Sequence, residues 1–167
     1  MNRWDHTTGT LPWTKTCFVC GVDNPNGLRA RSRVEGERIV LTHVTRDTDL
    51  GYRHLVHGGI SMTLLDEVMT WAAILTLKKA CVAAELTVRL KHPVTVGQSI
   101  RVEGWIMGGT ARLSLTEGRV LDDRHTVLAT ATGKYVPMPE KGAHLCMKDF
   151  VDSPEAINLP FLRAVPG

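Results

Sequence analysis

Residues 59–79 form a run that is apolar on nearly every side of a helix, with Ile60, Met62, Leu64, Leu65, Val68, Met69, Trp71, Ala72, Ala73 and Leu75 spread around it. A helix with one apolar stripe can lie on a surface, but one that is apolar all round must be enclosed by other structure. The rest of the chain supplies the enclosure. Segments 28–34, 38–44, 85–93, 99–107, 111–121 and 127–137 alternate apolar and polar residues, with turn residues such as Asn24-Pro25-Asn26-Gly27, Gly108-Gly109 and Asp122-Asp123 between elements. The pattern predicts an α+β domain, a long central helix wrapped by a curled antiparallel sheet of about six strands, the last four running as a meander.

A chain of 167 residues with 43% hydrophobic and 22% charged residues fits one domain with short tails. We divide it into a polar leader (1–16), the domain (17–137) and a proline-punctuated C-terminal extension (138–167) read as an extended tail on the surface. The net charge of +3 comes from scattered basic residues, so no nucleic-acid partner is expected. Residues 1–16 lack the apolar core of a signal peptide. The apolar stretch around Val68 to Leu77 stops at Lys78-Lys79, short of the roughly 20 residues of a membrane span. A cytoplasmic protein with no membrane partner is therefore expected. Of four cysteines only Cys17 and Cys20 are close, which makes no disulfide framework.

The chemistry gathers where the helix begins. His57-Gly58-Gly59 opens it, and free N–H groups at a helix start make an oxyanion site. Asp66 follows inside the helix, bracketed by Leu64, Leu65, Val68 and Met69, where partial desolvation makes a carboxylate a better base. Eight residues put Asp66 roughly 12 Å along the axis from Gly58, at 1.5 Å per residue. One small carbonyl cannot touch both groups in one chain. If both act, they come from different subunits, with two antiparallel helices each placing a carboxylate near the other's N-terminus. The plainer reading is a tight turn followed by a solvated or ion-paired Asp. Glu67, 100° further round, competes with Asp66, or is a surface or interface charge. His57 is read as general base, ligand or, more simply, an anchor for the turn.

Other motifs carry less. Cys17-Phe18-Val19-Cys20 has zinc-like spacing without a matched second pair, and completion would fall to His6, His43 or His54 from afar. No metal is expected. Gly108-Gly109 reads as a hairpin turn.

Residues 17–136 resemble the hotdog-fold acyl-CoA thioesterases, especially the phenylacetate-pathway and 4-hydroxybenzoyl-CoA branch. The carriers are Cys17-Phe18-Val19-Cys20-Gly21, Asn24-Pro25-Asn26-Gly27-Leu28, Gly51-Tyr52, His57-Gly58-Gly59, Leu65-Asp66-Glu67, Glu85 to Leu90 and Pro93-Val94. The resemblance implies that Gly58 N–H binds the thioester oxygen and that Asp66 acts as base or nucleophile, with His57 beside them. It further implies substrate contacts at Gly59, Glu67, Ala83, Arg89 and Arg112, with Arg89, Lys91 and Arg112 as contacts for coenzyme A phosphates. Acyl-CoA is then the partner, coenzyme A arrives as part of the substrate with no separate cofactor, and the assembly is a homodimer or a dimer of dimers. Two positions depart from the pattern: Ala83 stands where many relatives carry Ser or Thr, and Gly51 where one branch carries Asn. The alternatives are a silent acyl-CoA-binding module and, more weakly, a dehydratase.

Overall fold

The computed structural model describes residue 4 and residues 8–163. Its seven strands are β1 (Gly9–Thr10), β2 (Arg33–Glu35), β3 (Arg38–Val44), β4 (Cys81–Leu90), β5 (Ser99–Thr110), β6 (Leu113–Leu121) and β7 (Val127–Pro137). They form one antiparallel sheet in the order β1-β2-β3-β5-β6-β7-β4. The long helix α1 (Gly58–Leu77) packs on the inner face of the sheet, against β3 to β7. This is the expected α+β hotdog architecture, with one more strand than counted from sequence.

Several boundaries differ for identifiable reasons. Only β5, β6 and β7 form a meander, because β4 pairs with β7 and takes the far edge of the sheet. Residues 28–32 do not join the sheet. The N–H groups of Leu28 and Ala30 bond instead to the carbonyls of Phe18 and Val19, zipping that segment onto the cysteine loop. Strand β5 runs through Gly108-Gly109 to Thr110, with a bulge between Ile106 and Gly108, so the hairpin turn is Ala111-Arg112. Helix α1 starts at Gly58 and ends where Lys78 adopts a left-handed conformation. By length and composition α1 is long and apolar enough to cross a membrane, since Asp66 and Glu67 interrupt rather than end its apolar run; half of its residues are buried within the fold.

The C-terminal extension is more ordered than its prolines suggest. It forms α2 (Glu140–Met147) and α3 (Pro160–Arg163), and Leu159 and Leu162 join the core alongside Trp4 and Leu11 of the leader. Phe150 meets Trp71 of α1 edge-on, with ring centroids 6.2 Å apart. The two terminal segments also bond to each other, through Val151 N–H to the Trp13 carbonyl and Thr16 to the Asp149 carboxylate.

Close seating of α1 depends on Gly104 in β5. A Cβ there would lie 2.8 Å from the Val68 carbonyl carbon, and backbone cannot step aside as a side-chain tip can. Gly104→Ala should therefore destabilise the fold by about 1–3 kcal/mol, read as a lower urea midpoint with an unchanged slope.

The loop before α1 is fixed by a buried ion network. Asp49, with 1% of its side chain exposed, takes His43 Nε2 at 2.9 Å and Arg46 Nη2 at 2.7 Å, and its backbone carbonyl accepts from His57 N–H at 2.8 Å. Arg46 also donates to the Gly27 carbonyl, tying in the Asn-Pro-Asn-Gly turn. Burial alone would raise the Asp49 carboxyl, but hydrogen bonds from Arg46 and His43 outweigh it and hold the group below its ordinary value. A depressed folded-state value means that the stabilisation is present above the unfolded value, about 3.9, and is lost as pH falls through the folded one. Asp49→Asn should cost about 2–4 kcal/mol near neutrality, and the gap from wild type should narrow when unfolding is repeated below about pH 4.

Candidate active site

Helix α1 begins with an open donor. His57 is its N-cap, and its Nδ1 accepts the Gly59 N–H at 2.9 Å, so the imidazole anchors the turn. Ile60 N–H bonds to the His57 carbonyl. Among the described residues nothing accepts from Gly58 N–H. That group borders a cavity of about 320 Å³ lined by Val56, Ser61, Leu90, Lys91 and His92. Leu90 closes on Gly58 so tightly that a Cβ there would lie 2.7 Å from its Cδ1. An unpaired N–H at the positive end of a 20-residue helix is suited to holding a carbonyl oxygen as it gains negative charge.

Asp66 sits further along α1, half-buried, with one oxygen occupied and one open. Oδ1 accepts from the Tyr135 hydroxyl at 2.8 Å and from the Thr70 hydroxyl at 3.4 Å. Among the described residues Oδ2 has no hydrogen-bond partner. A carboxylate held by one oxygen presents the other in a fixed direction, as a base or nucleophile requires. Tyr135 was not singled out in the sequence. The available signals were its inward place in the period of β7 and the need of a carboxylate in an apolar helix for a donor. Burial, with the Asp66 charge beside it, pushes the Tyr135 hydroxyl well above its ordinary value, so it stays a donor.

Ala83 belongs to the same end of the site. It pairs directly with Tyr135, and the register shift between Ala83 and Glu85 changes the alternation of β4, so Ala83 shares the inner face with Tyr135. Ala83 itself offers no hydroxyl, but its cross-strand neighbour Tyr135 brings one to Asp66.

The remaining candidates separate. Arg89 lies on the outer face of β4, in a row with Thr130 of β7 and Arg119 of β6, away from Gly58. Arg112 is at the tip of the β5–β6 hairpin, seven positions before Arg119 and so roughly 20 Å along the strand direction from the Arg89 row. Lys91 does border the Gly58 cavity. A larger cavity, about 840 Å³, lies beside Lys78, Met138 and α2, at the far end of α1 and roughly 28 Å from Gly58.

Glu67 is not a surface charge. It turns inward against the cysteine loop, accepting from Trp71 Nε1 at 3.1 Å. Burial, reinforced by neighbouring Cys17, pushes its carboxyl up to about 7. Cys17 Sγ, Cys20 Sγ and a Glu67 carboxylate oxygen all lie within 4.8 Å of one another. A hydrogen bond from the Cys20 thiol, aided by backbone N–H groups, lowers Cys17, and the same contact raises Cys20. The histidines considered as partners for the cysteines are elsewhere: His43 is bound to Asp49, His54 is in the loop before α1, and His6 lies outside the described residues.

Comparison with known proteins agrees with this fold. Residues 54–129, from the loop before α1 to β7, match the thioesterase superfamily model. No curated protein sequence matches the chain. The E. coli PaaI protein from the phenylacetic acid degradation operon is 18% identical, with 67% of this chain and 81% of that chain covered at a TM-score of 0.62. Zebra fish Thioesterase Superfamily Member 2 is 11% identical over 71% of this chain and 90% of its own, at 0.63. The protein smu.793 from Streptococcus mutans UA159, solved bound to acetyl CoA, is 15% identical over 80% of this chain and 90% of its own, at 0.58. Residues 54–129 thus match the thioesterase superfamily model, and the chain shares the hotdog fold of these solved structures.

Tyr135→Phe removes the shorter of the two bonds to Asp66 Oδ1. It should cost about 1–3 kcal/mol of stability, measured by urea unfolding against a Thr70→Val control with the smaller loss.

Proposed function

We propose that this protein hydrolyses acyl-CoA thioesters to free acid and coenzyme A, as a cytoplasmic homodimer with sites shared between subunits. The observation that carries the reading is the open Gly58 N–H over a cavity at the start of α1, on the same helix as the anchored, half-open Asp66. The thioester oxygen would rest on Gly58 N–H. Asp66 Oδ2 of the second subunit would take a proton from water as the oxygen of that water attacks the carbonyl carbon. The carbon–sulfur bond then breaks and the coenzyme A thiolate takes up the proton. Direct attack by Asp66, giving an anhydride that water cleaves, is the alternative within the same geometry. Neither route needs a cofactor beyond the coenzyme A carried by the substrate.

Two features support the shared site. Gly58 and Asp66 remain about 12 Å apart along the helix axis, too far for one thioester carbonyl. The less covered side of α1 carries Gly59, Met62, Thr63, Asp66 and Thr70 at helical spacing, and β4 leaves its outer edge unpaired among the described strands. Val82 and Leu90 on that strand are 39% and 49% exposed. A ten-residue edge strand with exposed apolar side chains suits pairing with a second copy.

Coenzyme A release from short, long and aromatic acyl-CoAs tests the reading, with the signal from the protein's own thiols subtracted. Wild type should turn over at least one class, and Asp66→Asn should lose about a hundredfold or more in kcat. Ala83 favours a second reading, a module that binds acyl-CoA without cleaving it. Tight binding with no release from any substrate would replace the first reading by the second.

A further inference from the structure

We propose that Cys17, Cys20 and Glu67 form a binding site for a zinc-class divalent cation, which clamps the N-terminal loop to α1. Two thiols and a carboxylate converge on one point, each within 4.8 Å of the others. Tetrahedral zinc with thiolate bonds of about 2.3 Å and carboxylate bonds of about 2.0–2.2 Å needs its ligand atoms roughly 3.5–4 Å apart, which that spacing accommodates.

The loop is built to hold the sulfurs in place. Val19 N–H donates to Cys17 Sγ at 3.3 Å, and Thr14 Oγ1 takes the Cys17 N–H at 3.3 Å while lying 3.6 Å from Cys20 Sγ. Arg31 donates to the Cys20 carbonyl at 2.9 Å and stacks over Trp13, 4.5 Å from the ring centroid. Gly21 lets the chain turn back at once, since a Cβ there would collide with the Cys17 carbonyl oxygen. Outer contacts of this kind orient metal ligands. Trp71 Nε1 does the same for Glu67, leaving the carboxylate further acceptor capacity.

Charge points the same way. None of the ion pairs among the described residues includes Glu67, and the Arg31 guanidinium beside the loop donates to the Cys20 and Ala30 carbonyls. Among the described residues no cationic side chain bonds to these three groups, each able to carry negative charge, and a bound cation would balance them. Thiolate pairs favour zinc-class ions over magnesium or calcium, and with three protein ligands the fourth position falls to water. The site is independent of the proposed hydrolysis, although it seizes α1 one residue after Asp66.

The test uses the full chain, purified reduced and without chelator or a metal-affinity step. Elemental analysis should find about one zinc per chain. After the ion is stripped, cobalt(II) titration should give a thiolate-to-cobalt absorption band saturating at one equivalent. Cys17→Ser and Cys20→Ser should abolish the band, and Glu67→Gln should weaken cobalt affinity by about tenfold or more. If the serine variants fail to fold, the wild-type titration decides alone. Absence of both zinc and the cobalt band from folded, reduced wild type would overturn the proposal, as would a Cys17–Cys20 disulfide in protein isolated under reducing conditions. Unchanged cobalt affinity in folded Glu67→Gln would overturn the three-ligand site.

Discussion

The structure depends on burying one helix that is apolar on nearly every side. Leu64, Leu65, Val68, Met69, Ala72 and Ala73 of α1 are fully removed from solvent. At roughly 1.5–3 kcal/mol for each large side chain, this burial is a leading favourable contribution to folding. A flat sheet could not cover so much of the helix, so the strands curl around it and the terminal segments close over Trp71. What single-chain packing leaves half-covered is the side bearing Gly59, Met62 and Asp66. The demand that folds the chain also leaves the face bearing Asp66, the proposed base, where a second copy would complete the enclosure.

Two adjacent carboxylates in such a helix face opposite fates, because successive residues are 100° apart. Asp66 points toward the sheet edge, where Tyr135 and Thr70 hold one oxygen and leave the other open. Glu67 points toward the cysteine loop and is half-buried against sulfur and indole. A single step along the chain therefore separates a group suited to acting on a substrate from one suited to holding a loop. The loop before α1 is governed in the same way: Asp49, clamped by His43 and Arg46, uses its backbone carbonyl to fix His57 and thus where Gly58 N–H points.

Much of this was legible in the sequence, and the exceptions share a cause. Alternation located β3 and the strands from β4 to β7, and the apolar run located α1, because those signals are local. The partner of β4, the departure of residues 28–32 from the sheet and the packing of residues 138–163 depend on contacts between distant segments, which periodicity does not encode. The site divides likewise. His57, Gly58 and Asp66 stand out by spacing on one helix, whereas Tyr135 reaches Asp66 across 69 residues. Glu67 meets the cysteines only once the N-terminal loop is folded back. The role of Ala83 depends on a bulge that alternation alone does not reveal.

The central claim is that Gly58 and Asp66 act together across two subunits. His57 is extended, with φ −61° and ψ 131°, so proline in place of Gly58 fits the first helical position while removing the N–H. Gly58→Pro and Asp66→Asn chains, co-expressed with different tags and purified as the mixed dimer, provide the most direct measurement. Gly58→Ala, which keeps the donor, controls for the added Cβ. Each parent should be nearly inactive, and the mixed dimer should recover about half of wild-type coenzyme A release, because one of its two sites combines the intact glycine of one chain with the intact aspartate of the other. A mixed dimer no more active than its parents, beside an active Gly58→Ala homodimer, would contradict the shared site.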